Sequence, residues 1–188
     1  FAISAAKVVQ LFKDSPFNYI DDKRIFYDYF DWIKKTLKII EKSNEYWSLR
    51  IHPNASRWGE NQKIIIDNLL KENPNIKKKI LVDDSYVSNN FIFKTVKRLV
   101  TYSGTSHLEA SCFKIKPIMI SKSSLECLNS QFVLKPKNIK EYENYLLQNS
   151  NNKIFKQSDS VKNISKTMLF IRENILTLIK DLNGTSTY

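Results

Sequence analysis

Two stretches of the chain carry residue types in an order that could do chemistry: Arg50-Ile51-His52-Pro53, and Ser103-Gly104-Thr105-Ser106-His107-Leu108-Glu109. Each follows an apolar run and precedes a helical pattern. Arg50 and His52 sit two apart on an extended strand, so their side chains share a face. Pro53 fixes φ and discourages the strand from continuing. A neutral imidazole donates one hydrogen bond and an imidazolium two. Either suits a phosphate oxygen, and Arg50 can add a bidentate contact. The alternative is a histidine that caps the following turn or bonds a carbonyl.

In the second stretch Ser103, Thr105 and Ser106 offer hydroxyls and backbone N–H groups at a helix start, where the dipole favours an anion. Gly104 lets the backbone approach a ligand closely. An ordinary cap by Thr105 or Ser106 accounts for the same residues without a ligand. Glu109, in the first turn, can accept hydrogen bonds from ribose hydroxyls or simply answer the helix dipole. His107 is expected at the surface. Asp83 and Asp84 end another strand and can line the same crevice near a base, or cap the next helix. In an open α/β sheet, ligands bind outside the carboxyl ends of the strands. The two stretches are therefore expected to face one ligand. His52 is the candidate catalytic group. Arg50, Pro53, Asp83, Asp84, Ser103, Gly104, Thr105, Ser106 and Glu109 are the candidate binding residues.

These side chains need elements to hold them. Apolar residues at near-helical spacing predict a helix over 24–42. A strand follows over 46–51. A helix over 60–71 buries Ile65, Ile66, Leu69 and Leu70, and Asn73-Pro74-Asn75 stops it. Further strands are predicted at 79–82, 99–102 and 117–120, with a last short one at 132–134. Short helices are predicted over 89–97 and from 106 to about 113. Two more helices, 138–148 and 160–181, close the chain, with a loop over 149–159. Strands alternating with helices imply an α/β fold with a doubly wound parallel sheet.

At 188 residues, 42% hydrophobic and 26% charged, the chain can bury a sizeable core. No run is long enough to cross a bilayer. The expected organisation is an N-terminal segment over 1–45, a Rossmann-like nucleotide-sugar-binding domain over 46–150 and a helical extension over 151–188. The net charge of +11 fits nucleic acid, an anionic membrane or a phosphorylated ligand. The lysines are scattered, however, and the abundance of Lys, Ile and Asn suggests an AT-rich coding sequence that inflates lysine. No nucleic-acid partner is therefore expected.

With three glycines, the chain has no G-x-G-x-x-G or P-loop fingerprint, and no G-x-S-x-G elbow. Cys112 and Cys127 lack C-x-x-C spacing, and two histidines make no metal-site pattern, so neither a disulfide framework nor a metal is expected. Each cysteine reads as a small buried apolar residue in a reducing, cytoplasmic compartment. The opening Phe1-Ala2-Ile3-Ser4-Ala5-Ala6 has no basic n-region and reads as the inside of a longer protein, not as a signal peptide.

Arg-Ile-His-Pro at one strand end, Thr-Tyr-Ser-Gly-Thr-Ser (101–106) at a later one, the Glu109-Ala110 helix start and the Lys116-Pro117-Ile118-Met119-Ile120 strand together resemble the nucleotide-binding half of GT-B glycosyltransferases. The closest likeness is to bacterial capsule polysaccharide biosynthesis proteins, including Kdo transferases that use CMP-Kdo. Similar motifs occur in CMP-sialic acid transferases and CDP-glycerol glycerophosphotransferases. Tyr29-Phe30-Asp31-Trp32-Ile33 resembles the helix ahead of the His-Pro strand, and the likeness covers about residues 25 to 147. One departure is the run Phe113-Lys114-Ile115-Lys116, where the family carries a glycine.

The resemblance implies the C-terminal, Rossmann-like domain of a GT-B fold. His52 would contact the donor phosphate and Pro53 shape the turn. Ser103, Thr105 and Ser106 would hold phosphate or the sugar acid, and Glu109 would bind ribose. Asp83 to Tyr86 would lie near the base. It implies no cofactor beyond a nucleotide-sugar donor such as CMP-Kdo or CMP-sialic acid. The implied partners are a glycan or lipid-linked acceptor, a missing N-terminal domain that carries the general base, and the cytoplasmic face of the inner membrane as a peripheral site. Two rival readings are a basic nucleic-acid or partner-binding α/β module without catalysis, and a nucleotide-sugar epimerase of the same fold.

Overall fold

Short β-rich runs separated by amphipathic helices fold here into parallel strand pairs flanked by helices. The computed structural model describes residues 25–51, 62–83, 87–102, 105–120 and 131–182. Among them are seven α-helices and two parallel sheets of two strands each. The chain divides into two units, Phe1–Tyr86 with Lys137–Gln148, and Val87–Pro136 with Asn149–Tyr188.

In the first unit, helix α1 (Tyr29–Lys42) opens on a reciprocal cap. The Asp28 side chain accepts from the Asp31 N–H at 2.7 Å, and Asp31 Oδ2 accepts from the Tyr27 N–H at 3.0 Å. That cap starts the helix later than the periodicity suggests, because residues 25–28 bend and place Phe26 in the interior. Strand β1 (Trp47–Arg50) pairs in parallel with β2 (Ile80–Asp83), Trp47 opposite Ile80 and Arg50 opposite Asp83. Helix α2 (Gln62–Glu72) supplies Ile66, Leu69 and Leu70 to a core with Ile33, Leu37, Ile40, Ile76 and Ile80. Ile65, expected in that core, is exposed. It lies about 100° around the helix from Ile66, outside the narrow stripe that faces α1.

Asn73-Pro74 does end α2, but it also starts a one-turn helix, α3 (Pro74–Lys77). Proline at the first helical position forfeits only an N–H that has no intrahelical partner. Returning from the C-terminal half, helix α6 (Ile139–Leu147) packs on α1. Tyr142 is fully buried there, its ring edge-on to Phe26 at 5.1 Å.

In the second unit, helix α4 (Asn89–Thr95) is capped by the Ser88 hydroxyl, and the short strand β3 (Val100–Thr101) pairs in parallel with β4 (Ile118–Met119). The predicted strand over 132–134 is a single parallel bridge, Ile118 to Leu134. Helix α5 (Ser106–Cys112) lies between them in sequence. It ends in a Schellman turn, with Ile115 N–H bonded to Ala110 O and Lys114 N–H to Ser111 O. Lys114 holds the left-handed φ of 62° which that turn requires.

The stretch 149–159, expected to be a loop, contains a 3-10 turn (Lys153–Phe155) and is tied by an antiparallel bridge from Lys156 to Ile115. Helix α7 (Asp159–Leu182) follows and lays its first half on α5. Val161 and Met168 pack there on Leu108, Met119, Phe132 and Val133. No described helix is long and apolar enough to cross a membrane.

Candidate functional site

In the first unit, side-chain alternation sorts the strand pair into two faces. Trp47, Leu49, Ile51 and Val82 pack on the core. Ser48, Arg50, Leu81 and Asp83 therefore stand on the other face, where Leu81 is 70% exposed. Arg50 and Asp83 are register partners at the carboxyl ends of their strands, and the Ile51 N–H donates to the Asp83 carbonyl at 3.3 Å. An opposite-charge pair thus marks the end of the sheet from which a ligand approaches in open α/β folds. His52, Pro53 and Asp84 lie outside the described residues.

In the second unit, β3 leads into α5, and Ser103 and Gly104 between them lie outside the described residues. Thr105 occupies the N-cap position, but its side chain makes no capping bond and its backbone is already helical. The expected hydroxyl cap is therefore replaced. The Thr105 hydroxyl turns to Glu109 Oε1 at 3.5 Å, and the Ser106 hydroxyl donates to Thr101 Oγ1 at 3.3 Å. The Thr105 carbonyl accepts the Leu108 and Glu109 N–H groups. On its other oxygen, Glu109 accepts from the Asn89 side-chain amide at 2.6 Å.

Thr105 and Asn89 thus bracket the carboxylate and fix its orientation, while all of Thr105, Ser106 and Glu109 remain half-buried and reachable. A carboxylate flanked by one hydroxyl and an amide can accept further hydrogen bonds from a polyol. Its negative charge disfavours a phosphate at the same spot.

His107 does not reach the surface as expected; it is fully buried. The α5 face carrying residues 107 and 111 turns inward, and the His107 carbonyl accepts from the buried Ser111 hydroxyl at 2.9 Å. Gln157 continues that interior chain, donating to the Phe132 carbonyl at 2.8 Å and to Ser111 at 3.4 Å. Cys112 is half-buried, not enclosed, and burial raises its thiol pKa while the Lys166 charge opposes the shift. Cys127 lies outside the described residues.

Asn89 is the residue that sequence reasoning missed. Next to Ser88 it reads as part of a helix start, and no spacing rule links it to a carboxylate twenty positions on. Among the described residues, no group of three His, Cys, Asp or Glu side chains comes together to hold a metal. A cleft of about 270 Å3 in the first unit lies between α1, α2 and α3, with Lys34, Lys38 and Glu72 around Leu37, Leu69 and Ile76. It sits by the carboxyl end of α2, where the chain turns into the amino end of β2, and holds none of the predicted site residues. In comparisons with known proteins, no family model, no curated protein and no solved structure matches the chain.

Proposed function

We propose that this chain is the donor-binding part of a nucleotide-sugar-dependent glycosyltransferase. It would take a CMP-linked sugar acid, such as CMP-Kdo or CMP-sialic acid, and serve transfer to a glycan or lipid-linked acceptor of a bacterial surface polysaccharide. In this reading the strands belong to a Rossmann-like, doubly wound C-terminal domain of a GT-B fold. The protein works in the cytoplasm, peripheral to the inner membrane.

The observation that carries the reading is the oriented Glu109 carboxylate, held by Asn89 and Thr105 at the start of the helix that follows a parallel strand. It supplies a hydroxyl-binding group where the family resemblance expects a ribose.

The reaction is a displacement at the anomeric carbon. The acceptor oxygen bonds to that carbon as its bond to the phosphate oxygen breaks, and CMP leaves. The acceptor proton passes to a general base in a second domain, so turnover is expected only when that domain is supplied.

Thermal-shift measurements with CMP, CDP, UDP and GDP test the reading. A shift with CMP that exceeds the others supports it, and equal or absent shifts count against it. The +11 charge favours one rival, a nucleic-acid-binding module. Steeply salt-dependent binding to generic duplex DNA, unchanged by His52→Ala, would select that rival.

A further inference from the structure

Two stripes at helical spacing line the cleft of about 270 Å3 in the first unit. Lys34, Leu37 and Lys38 form one on α1; Leu69 and Glu72 of α2, with Asn73 just beyond it, form the other. Each stripe follows the i, i+3, i+4 steps of a single helix face. Leu37, Leu69 and Ile76 are buried and make an apolar floor, whereas Lys34, Lys38 and Glu72 are exposed at its edge. These edge charges are not spent on each other. Among the described residues, neither lysine pairs with an acid and Glu72 pairs with no cation. Asp31, whose carboxyl feels the Lys34 charge, is bonded by Lys35 instead. Asn73 donates its amide to the Leu69 carbonyl at 2.8 Å and makes no side-chain cap, so its Oδ1 is left to accept.

We infer that this cleft binds a small zwitterion with an apolar body: a free α-amino acid with an aliphatic side chain. Lys34 and Lys38 lie one turn apart, so both ammonium groups can reach one carboxylate. Glu72 and Asn73 Oδ1 accept from the ligand's ammonium group. The floor and the lysine stems take the aliphatic chain. Charges of opposite sign on separate helices select this class. A plain carboxylate would lie against Glu72 with no cation of its own, and a plain amine would meet two lysines. The volume is at the small end of ligand pockets and suits a body of this size. The cleft is separate from the Glu109 site, which belongs to the second unit.

Methyl-resolved NMR titration of the whole chain tests the inference. The probes are free leucine, isocaproate, which lacks the ammonium group, and isopentylamine, which lacks the carboxylate. Free leucine is expected to shift the Leu37, Leu69 and Ile76 methyl signals in a saturable way, with a Kd of roughly 1 mM. Each analogue is expected to bind about tenfold more weakly. So is free leucine with the double variant Lys34→Ala, Lys38→Ala, whose exposed positions leave the fold intact. Glu72→Gln should narrow the gap between free leucine and isocaproate. Four outcomes would overturn the inference: no saturable shift at the cleft; an analogue that binds as tightly as free leucine; a double variant that keeps the wild-type affinity; or a Glu72→Gln chain that keeps the full gap.

Discussion

Asn89 donates its side-chain amide to Glu109 at 2.6 Å, joining the first residue of α4 to the first turn of α5. The bond turns a flexible carboxylate into an oriented acceptor. Removing it by Asn89→Ala frees Glu109 to rotate. A hydrogen bond to a charged group is worth about 1.5–3 kcal/mol, and a half-exposed one less. The expected result is CMP binding weakened by about fivefold, or about 1 kcal/mol, measured by calorimetry. Unchanged affinity would remove Asn89 from the account.

Tyr142 anchors the returning helix α6 to α1. Its hydroxyl accepts from the Trp32 indole N–H at 2.9 Å and lies 2.8 Å from the Thr36 hydroxyl. Thr36 spends its own proton on the Trp32 carbonyl, so the Tyr142 hydroxyl is the donor to Thr36. Burial, which the two bonds only partly oppose, pushes the Tyr142 pKa far above its ordinary value and keeps that proton in place. Tyr142→Phe leaves the Trp32 donor without its acceptor. The expected loss is about 1–3 kcal/mol, read as a lower urea midpoint at unchanged slope.

Lys114 occupies a left-handed position that favours glycine. The strain costs a non-glycine residue roughly 1–2 kcal/mol. Lys114→Gly removes it, and it also removes a solvent-exposed ion pair to Asp159 that contributes little. The expected outcome is a net gain of about 1 kcal/mol in denaturant unfolding. A loss of stability would mean that the lysine contacts matter more than the backbone.

Two helix starts should contribute to the acid limb of stability. Burial raises the Asp31 carboxyl, but its bonds to Lys35 and the Tyr27 N–H outweigh that and hold it below its ordinary 3.8. Glu141 is held below its ordinary 4.5 chiefly by the Lys137 N–H, with the Tyr145 hydroxyl adding to it. Depressed carboxyls lend stability that is complete above those ordinary values and is lost as pH falls through the folded ones. Asp31→Asn and Glu141→Gln should therefore be less stable than the wild type at neutral pH, and the curves should converge in acid. Parallel curves across the acid range would contradict this.

The elements were legible wherever one periodicity ran unbroken. Ile33, Leu37 and Ile40 announce α1, and the alternation through Trp47, Leu49 and Ile51 announces β1. Arg50 and Asp83 could be placed at strand ends because a proline and an acidic pair punctuate the apolar runs. What escaped depends on partners distant in sequence. His107 is polar, yet its face of α5 is buried, where Gln157 from far along the chain bonds Ser111. Residues 153–157 look like a polar loop until their backbone bonds to Lys114 and Lys116 are formed. Thr105 was legible as a cap position, but its hydroxyl bonds Glu109, a carboxylate also held by Asn89 from another helix.

The central claim is that Glu109 holds a ribose hydroxyl of a nucleotide at the start of α5. Calorimetric titration of CMP into the wild-type chain and into Glu109→Ala tests it most directly. The account expects saturable binding by the wild type and at least a tenfold loss in the variant, about 1.4 kcal/mol or more. Equal binding by both chains, or no binding by the wild type, would contradict it.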